Sequence, residues 1–436
     1  MVEANIAGMI AAAALLFLLG IGAQIGVALG LAGVLGITLV IGFDAALAQL
    51  ATLPFGTTNS FTLAVIPLFI FMGAFATYAG LTTDIYRAAN NWLGRLPGGL
   101  AIATTLASAG FGAASGSTVV NAAVFTRIAM PEMTRLGYDK RLSAGCIAAS
   151  GTLAALIPPS ILMVVYAIVT EQSISKMMLA GLIPAALTLV AYVVMIYLKA
   201  VRDPASAPIQ AVAVDRKEKW RSLGSVWGIT AIFALVIGGL YLGWFTPTYA
   251  GAVGAFGAFL IALGKRKLNT TTLLNVIREA SITTTTIFII IIGGMIFSRF
   301  LTYTGLMDSI VDGLLALDLP RYVYLLAFVA VYLFLGMVIE AVAIMIMTLP
   351  VMFPVLVGLG YDPIWLGIIS IKLAEISLIT PPVGLNVFVV RNASPVPLTL
   401  GDAFRGVTPF VIVEFILLGV LILIPELVTF IPNMME

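Results

Sequence analysis

The residue types best suited to chemistry lie in two polar stretches that interrupt long apolar runs. The first stretch, GAASGSTVVNAA, covers residues 112–123 and combines hydroxyl groups, glycines and the amide of Asn121. A hard cation such as Na⁺ prefers oxygen ligands, which this stretch offers as hydroxyls and backbone carbonyls. Close packing of small residues between helices is the alternative interpretation. The candidate Na⁺ ligands are Ser115, Gly116, Ser117 and Thr118, and the candidate substrate-binding residues are Ser117 and Asn121.

Two pairs of adjacent prolines, Pro158-Pro159 and Pro381-Pro382, stand in the middle of other apolar runs. Proline inside a helix removes a hydrogen bond at a cost of about 3 kcal/mol, and lipid offers no water to compensate. Such a break is either a plain kink or the lining of a site. We predict that both breaks bind ions and substrate. The Na⁺ ligands would be Pro158, Thr380, Pro381 and Gly384, and the substrate-binding residues would be Ser160, Thr380 and Asn386.

The second polar stretch, in the later half of the chain, contains Gly336 and Glu340, which we predict as further Na⁺ ligands. Proton coupling through Glu340 or Glu375 stays open. Charged side chains inside a membrane are costly and are usually functional or paired. Glu375 lies three residues after Lys372, which predicts a local ion pair on one helix. Arg299 either reaches the membrane surface or faces the site. Glu414 has no evident partner, and a neighbouring subunit could meet it. The threonine run 283–286 is assigned no role.

The composition identifies the kind of protein that must position these residues. Of the 436 residues, 61% are hydrophobic and 10% charged, with a mean hydropathy of +1.13. Apolar runs long enough to cross a bilayer recur throughout, without the alternating polarity of a membrane barrel. A net charge of +2 gives no reason to expect nucleic-acid binding, and one cysteine and no histidine exclude an internal disulfide and histidine-based sites. The N-terminus lacks a cleavage signal, so we interpret it as a retained helix. The fold class predicted is an all-α polytopic membrane protein.

Some of the apolar segments do not have the length of a single span. Residues 98–133 are too many for one helix and are interrupted by glycine-rich sequence, so we predict a re-entrant hairpin there and another over 320–357. With broken helices over 141–169 and 363–391, this topology collects most of the Lys and Arg side chains on one side of the membrane. Basic loops face the cytoplasm, so the C-terminus should lie outside.

The sequence also contains an internal repeat. GYD at 137–139 recurs at 360–362, and the proline pair at 158–159 recurs at 381–382 with the same offset in numbering. YAGL at 78–81 returns as YTGL at 303–306 with nearly the same offset. Five predicted crossings separate the units, so the second unit is inverted. Inverted repeats with discontinuous helices characterise secondary transporters with sites near the midplane.

The repeat and the composition together predict the organisation of the chain. It consists of N-terminal scaffold helices (1–60), a first repeat (61–200), a cytoplasmic linker (201–222), further scaffold helices (223–280) and a second repeat (281–436). This linker is the only polar linker of any length in the chain, so we expect it to be a solvated loop.

Seven motifs together resemble the large membrane subunit of TRAP (tripartite ATP-independent periplasmic) transporters: IPLFIFMGAF, LPGGLA, GFGAASGSTVVNAA, PEMTRLGYDK, GTLAALIPPSI, GWFTPTYAG and LITPPVGLNVFVV. The resemblance implies an elevator-type Na⁺ symporter for organic acids such as sialic acid or C4-dicarboxylates, in a bacterial inner membrane. It also implies a periplasmic substrate-binding protein and a small four-helix membrane subunit, which we expect to be a separate chain. Two residues depart from the family pattern. Tyr249 stands where an acidic residue is typical, and Ala154 where glycine is.

Three other functions make different demands on the sequence. A stand-alone Na⁺/dicarboxylate symporter of the same architecture would take up substrate without a binding protein. An intramembrane enzyme would need a catalytic constellation at membrane depth, which the chain does not supply. A passive channel would not depend on a Na⁺ gradient, and no Walker-type sequence supports ATP coupling.

Overall fold

The computed structural model describes residues 3–209 and 215–434, apart from the side chains of residues 308 and 310, and within these ranges it is helical without strands. Residues 210–214 of the predicted linker lie outside the described residues. The first half contains α1 (Ala4–Gly20), α2 (Ile25–Val40), α3 (Phe43–Thr58), α4 (Val65–Tyr78), α5 (Leu81–Leu93), α6 (Gly99–Ser115), α7 (Thr118–Arg135), α8 (Lys140–Leu156), α9 (Ile161–Val169), α10 (Ile174–Ala180) and α11 (Leu182–Arg202). The second half contains α12 (Arg216–Ser225), α13 (Trp227–Tyr241), α14 (Pro247–Gly264), α15 (Thr270–Tyr303), α16 (Leu306–Leu315), α17 (Arg321–Gly336), α18 (Ala341–Gly358), α19 (Pro363–Ile379), α20 (Leu385–Ala393), α21 (Leu400–Leu423) and α22 (Glu426–Asn433).

Helix lengths and compositions fit the polytopic fold that the composition predicts. Among the described residues, five helices are long and apolar enough to cross a membrane, and up to eight spans result if each bent pair counts as one. Four further apolar helices, α1, α2, α6 and α17, are shorter than a full span. Short apolar helices are expected where a chain enters the membrane only part of the way.

The repeat extends over nearly all of these helices. The helices α8 and α19 both have 17 residues, and their first residues, Lys140 and Pro363, are related by the offset of the two GYD motifs. Tyr78 ends α4 and Tyr303 ends α15, and these tyrosines begin the two YAGL-like motifs, so α3 and α4 together correspond to the single long helix α15. By the same spacing α1 and α2 correspond to α13 and α14, the helices that sequence analysis set apart as scaffold.

Both predicted hairpins are present. The helices α6 and α7 are joined through Gly116, whose φ of 58° is the left-handed conformation that favours glycine, and through Ser117, whose hydroxyl accepts a hydrogen bond from the Val120 amide. The equivalent pair, α17 and α18, turns over Met337–Glu340 and has Glu340 as the N-terminal cap of α18. Each hairpin places a non-helical tip inside the protein.

Both predicted helix breaks are also present. The helices α8 and α9 meet at an angle of 44°, with Ile157–Ser160 between them, and both proline pairs have a cis peptide bond. The Ser160 hydroxyl caps α9 by accepting from the Met163 amide. In the second repeat α19 ends before Thr380, and Gly384, with a φ of 57°, is the N-terminal cap of α20. The protein is therefore an all-α inverted repeat with two re-entrant hairpins and two discontinuous helices, as the sequence predicts.

The helices outside the hairpins form a close-packed frame. The helix α2 lies directly against α15 because glycines face it, and a Cβ on Gly33 would come within 2.8 Å of the Phe297 amide nitrogen. The equivalent helices α14 and α4 pack in the same way, since a Cβ on Gly251 would lie 3.0 Å from Leu68. Small residues let membrane helices approach closely. An ion pair between Lys265 and Asp84 connects α14 to α5.

Part of the predicted linker is not a loop. Arg216–Ser225 forms the helix α12, which lies against α5. The rings of Trp92 and Trp220 meet edge to face with centroids 5.4 Å apart, and the Trp92 indole donates to the carbonyl of Lys219 at 3.1 Å. This helix was not predicted, because its stabilising partner is distant along the chain. The expectation of a loop was wrong for residues 216–222, the part of this helix that lies in the predicted linker.

Candidate functional site

A pocket of about 320 Å³ lies where the two hairpin tips face α15. The first hairpin contributes the Gly116–Val120 segment, and the second contributes Glu340–Val342. Leu378 and Leu385, on either side of the second helix break, complete the inner wall together with the start of α9. The α15 wall consists of Ile282, Thr283, Thr286, Ile287 and Ile290. One cavity is therefore lined by both hairpin tips, by the second helix break and by the start of α9, the helix that follows the first break.

At the first tip the structure brings the predicted Na⁺ ligands against the first helix break. A Cβ on Gly116 would lie 2.7 Å from the carbonyl oxygen of Pro159, so the two backbones touch. The hydroxyl of Ser115 is buried and, among the described residues, has no hydrogen-bond partner. Ser117 and Thr118 line the pocket beside it. The predicted ligands of the tip, residues 115–118, thus lie against the helix break that contains the predicted ligand Pro158.

At the second tip Glu340 faces the pocket, and its Oε2 atom has no hydrogen-bond partner among the described residues. Gly336 lies so close to Ser377 that any side chain at position 336 would overlap it. The Thr380 hydroxyl donates to the carbonyl of Ile376 at 2.6 Å. Pro381 and Gly384 follow in the break, so Gly336 and Glu340 belong to a tip that packs on the helix leading into Thr380.

Two of the predicted substrate-binding residues form hydrogen bonds within the protein. Asn121 is fully buried, accepts a hydrogen bond from the Ser108 hydroxyl at 3.0 Å and donates to the Ser108 carbonyl at 2.9 Å. Its amide therefore holds α6 against α7 behind the tip. Ser160 is also fully buried and caps α9. That these two side chains bind the substrate stays a prediction.

Asn386 occupies an intermediate position. Its side chain is fully buried, and its Nδ2 donates to the carbonyl of Ala148 at 3.4 Å, which links α20 to α8. Its Oδ1 atom has no partner among the described residues. An unpaired amide oxygen in a buried position is available to a cation or a donor group, because leaving such an oxygen unbonded costs about 1–3 kcal/mol.

The oxygen atoms present suit a hard monovalent cation rather than a transition metal. The residues described contain no group of three or more His, Cys, Asp or Glu side chains placed to hold a metal ion. The available oxygens are the unpartnered atoms of Ser115, Glu340 and Asn386 together with tip and break carbonyls. Hydroxyl, amide and carbonyl oxygens with few carboxylates are typical ligands for weakly held hard cations.

The helix α15 also contributes to the site, which was not predicted. Glu279, Thr283 and Thr286 are spaced by four and three residues, so they share one face of the helix. Thr283 lines the main pocket, and with Glu279 it also lines a cavity of about 20 Å³ beside Ser115 and Ser117. The usable signal was the helical spacing, which extends the threonine run into a polar stripe on an otherwise apolar helix.

A second buried polar cluster lies behind the second break. Lys372 is fully buried, and its Nζ lies 3.2 Å from Glu375 Oε2 and 2.6 Å from Glu414 Oε2. Tyr192 donates a hydrogen bond to Glu414, and Lys372 donates to Thr188 at 2.9 Å. The predicted pair of Lys372 with Glu375 is present. The suggestion that Glu414 meets another subunit was wrong, because its partners are on α11 and α19 of the same chain.

Comparison with known proteins identifies the family. The family described as "Tripartite ATP-independent periplasmic transporter, DctM component" matches residues 12–427. The chain is 37% identical over 406 residues to the C4-dicarboxylate TRAP transporter large permease protein DctM of Pseudomonas aeruginosa, covering 93% of each. It is 29% identical over 382 residues to the sialic acid TRAP transporter large permease protein SiaM of Vibrio cholerae, covering 87% of this chain and 88% of that protein.

One solved structure supports the fold independently. The YdaH transporter of Alcanivorax borkumensis, described as having an unusual topology, superposes with a TM-score of 0.58 at 16% identity, over 88% of this chain and 90% of that one. At this identity the likeness concerns the fold alone. The family match extends over both hairpins, both breaks and the pocket between them, and the chain therefore belongs to the DctM-component family of tripartite ATP-independent periplasmic transporters.

Proposed function

We propose that this chain carries out Na⁺-coupled uptake of an organic acid delivered by a periplasmic binding protein. Membership of a tripartite transporter family gives the transport of organic acids and the need for partner components. The observation that carries the finer proposal is the single pocket between two hairpin tips and a helix break, with unpartnered oxygens at both tips. Organic acids of the sialic acid or C4-dicarboxylate class are the proposed cargo.

Sodium is proposed as the coupling ion because buried oxygens without donors gain free energy when a cation enters. Glu340 caps α18 as Ser117 caps α7, and Ser115 lies two residues before Ser117, so each tip carries an unpartnered oxygen, which supports one ion at each tip. Binding an ion at a tip would also hold that tip against its helix break. Substrate and ions would then be held together on the hairpins and broken helices.

An elevator movement is proposed from the internal repeat. Ile70, Gly73, Ala74 and Thr77 of α4 face the first hairpin tip, where a Cβ on Gly73 would lie 2.8 Å from the Ser115 Cα. The offset that relates Tyr78 to Tyr303 relates these residues to Met295, Ser298, Arg299 and Thr302 of α15, and the latter four line a crevice beside α18 instead of the second tip.

The size of the movement is obtained by comparing the residues of the second hairpin that lie beside Ser298 in the present and in the exchanged arrangement. Gly294 of α15 now touches Ile346 of α18, and Pro350 lines the crevice near Ser298. Exchanging the two repeats would place Ser298 beside residues 338–340, the equivalents of the first tip. Pro350 and residue 339, the middle of this segment, are about eleven residues apart. At 1.5 Å per residue of helix, this corresponds to about 16 Å of translation. The hairpin unit would slide by this distance against the frame.

The sidedness and partners remain as the sequence predicts them. The basic residues favour a bacterial inner membrane location with the C-terminus in the periplasm. The frame helices expose apolar faces to the bilayer, and the small four-helix membrane subunit would lie against this frame. A stand-alone symporter is the alternative function, and it differs in needing no binding protein.

Uptake measured in proteoliposomes tests the function. The chain and its small subunit would be supplied with radiolabelled succinate or sialic acid, with and without the matching binding protein and an inward Na⁺ gradient. We expect uptake to require both. Ser115→Ala should raise the Na⁺ concentration for half-maximal uptake, whereas Ser370→Ala, a buried serine bonded to its own helix at Leu366, should not. Uptake without the binding protein would favour the stand-alone symporter, and uptake without Na⁺ would refute ion coupling.

Cross-linking tests the movement separately. In a Cys146→Ser chain, the pair Thr286→Cys and Val342→Cys should cross-link in the arrangement seen here, since both residues line the pocket. The pair Ser298→Cys and Ile339→Cys should cross-link only in the exchanged arrangement. A transporting chain that forms the first cross-link and never the second would contradict the elevator.

A further inference from the structure

Arg299 is an arginine near the end of a membrane helix that faces a crevice rather than the lipid alone. The crevice has a volume of about 460 Å³ and separates the last three turns of α15 from α18 and from the loop after α9. It lies at the end of α15 far from the basic residues at 265–267. Its polar lining residues are Thr170, Glu171, Ser298, Arg299 and Thr302.

The guanidinium of Arg299 is held in place by neutral groups. Its Nη1 donates to Gln49 Oε1 at 2.8 Å, and Gln49 Nε2 in turn donates to the Tyr303 hydroxyl at 3.3 Å. Among the described side chains, no carboxylate forms an ion pair with Arg299. A positioned guanidinium keeps donors free for a carboxylate, which it binds by paired hydrogen bonds.

The helix α15 also carries a negative charge, on Glu279, at a position far from Arg299. Glu279 lines the small cavity beside Ser115 and Ser117, at the level where the first tip now stands. Twenty residues separate Glu279 from Arg299, which corresponds to about 30 Å along the helix. Beyond Thr283 and Thr286, the middle of this wall is apolar, with Ile287, Ile290 and Ile291 facing the two cavities.

The repeat shows when each charge would meet the cargo. In the present arrangement the pocket lies beside Thr283, one turn from Glu279, and Arg299 faces the crevice outside it. Arg299 is the equivalent of Ala74, which faces the first tip across the small cavity. In the exchanged arrangement the second tip would stand beside Ser298, and Arg299 would border the pocket.

We propose that α15 interacts with the carboxylate of the cargo differently in the two arrangements. Arg299 binds this carboxylate when the pocket is loaded from outside. Glu279 repels it when the pocket opens to the inside. This inference rests on the proposed uptake of an organic acid. Both charges are fixed on the frame. When the hairpins move, the cargo leaves the attractive charge of Arg299 and comes next to the repulsive charge of Glu279. Release then requires no change in the hairpin residues themselves.

The test measures loading and release separately in proteoliposomes with the small subunit and a succinate-loaded binding protein. At saturating loaded binding protein, Arg299→Gln should lower the initial uptake rate by about tenfold to a hundredfold, the range of a lost charge-assisted hydrogen bond. The half-saturating concentration of binding protein should stay unchanged, since docking is not affected. Arg299→Lys should recover part of the rate.

Release is measured as inhibition of uptake by succinate placed inside the vesicles. Glu279→Gln should make internal succinate inhibit at a several-fold lower concentration, and Arg299→Gln should leave this inhibition unchanged. Arg321→Gln is the matched control, because it removes an arginine that lies on the Tyr361 ring and outside the crevice.

The outcomes separate this inference from the function beneath it. A wild-type chain without Na⁺-dependent and binding-protein-dependent succinate uptake would mean that the proposed function is wrong for this cargo, and sialic acid with its binding protein would replace succinate. An active wild type with an unaffected Arg299→Gln variant would overturn the inference. So would equal loss in Arg299→Gln and Arg321→Gln, or Arg299→Gln changing internal inhibition as strongly as loading.

Discussion

Replacing Gly116 by alanine is the most direct test of the first ion site. Gly116 has a φ of 58°, and an L-residue in this left-handed region costs roughly 1–2 kcal/mol. Its new Cβ would also lie 2.7 Å from the Pro159 carbonyl oxygen, where no real Cβ is found. Because that oxygen belongs to the backbone of the helix break, the tip and the break must separate. We expect a total cost of about 2–3 kcal/mol.

This cost should be visible as weaker Na⁺ binding. If ions hold the tip against the break, a cost of about 2–3 kcal/mol lowers Na⁺ affinity by about 30- to 150-fold. The assay is the Na⁺ concentration that gives half-maximal uptake in proteoliposomes, with Na⁺-induced thermal stabilisation of the purified chain as a second readout.

Gly22→Ala serves as the control for this substitution. Gly22 has a φ of 81° with no atom within 4 Å of its Cβ position, so it bears the backbone cost without the contact. It should lose stability and keep its Na⁺ dependence. A Gly116→Ala chain that transports with wild-type Na⁺ dependence would refute the assignment of this tip as an ion site.

Three further predictions concern the buried polar groups. Lys372→Met leaves two carboxylates without their cation and should destabilise the chain by about 3–5 kcal/mol, whereas adding Glu375→Gln and Glu414→Gln should restore most of the loss; thermal unfolding in detergent measures both. Tyr192→Phe removes one donor from Glu414 and should cost about 1–3 kcal/mol in the same assay, and an unchanged melting temperature would speak against this hydrogen bond. Asn121→Ala should loosen the first hairpin by about 1–3 kcal/mol and leave the substrate preference unchanged, so a change in preference between succinate and sialic acid would restore its predicted role in binding.

The sequence was most informative where a residue type is incompatible with regular structure. Proline pairs at 158–159 and 381–382 located both helix breaks, because proline cannot continue a membrane helix without cost. Glycine and hydroxyl residues located the first tip, and the repeat spacing transferred that prediction to the less obvious tip at Glu340. Local sequence is sufficient for these features because the signal is carried by the backbone itself.

The sequence was least informative about partners that are distant along the chain. Glu414 had no neighbour of opposite charge within a helical turn, and its partner Lys372 becomes visible only when α19 packs against α21. Asn121 was assigned to substrate from its polarity, whereas its orientation depends on where the other hairpin arm places Ser108. The role of Thr283 was missed for the same reason, since only the fold shows which face of α15 meets the pocket.

The glycine seam between α2 and α15 has a consequence for how the chain is made. Gly26 of α2 fits against the Ile289–Ile290 backbone, which is synthesised only after more than half of the chain has followed Gly26. At roughly 5–20 residues per second of synthesis, about 13–50 s pass between the synthesis of Gly26 and that of the α15 residues that cover it. During that time its small residues face lipid or other chains. Closure of the frame is thus a late step in biogenesis, and nascent chains that end before α15 leave this groove open to any insertion factor that covers small-residue surfaces.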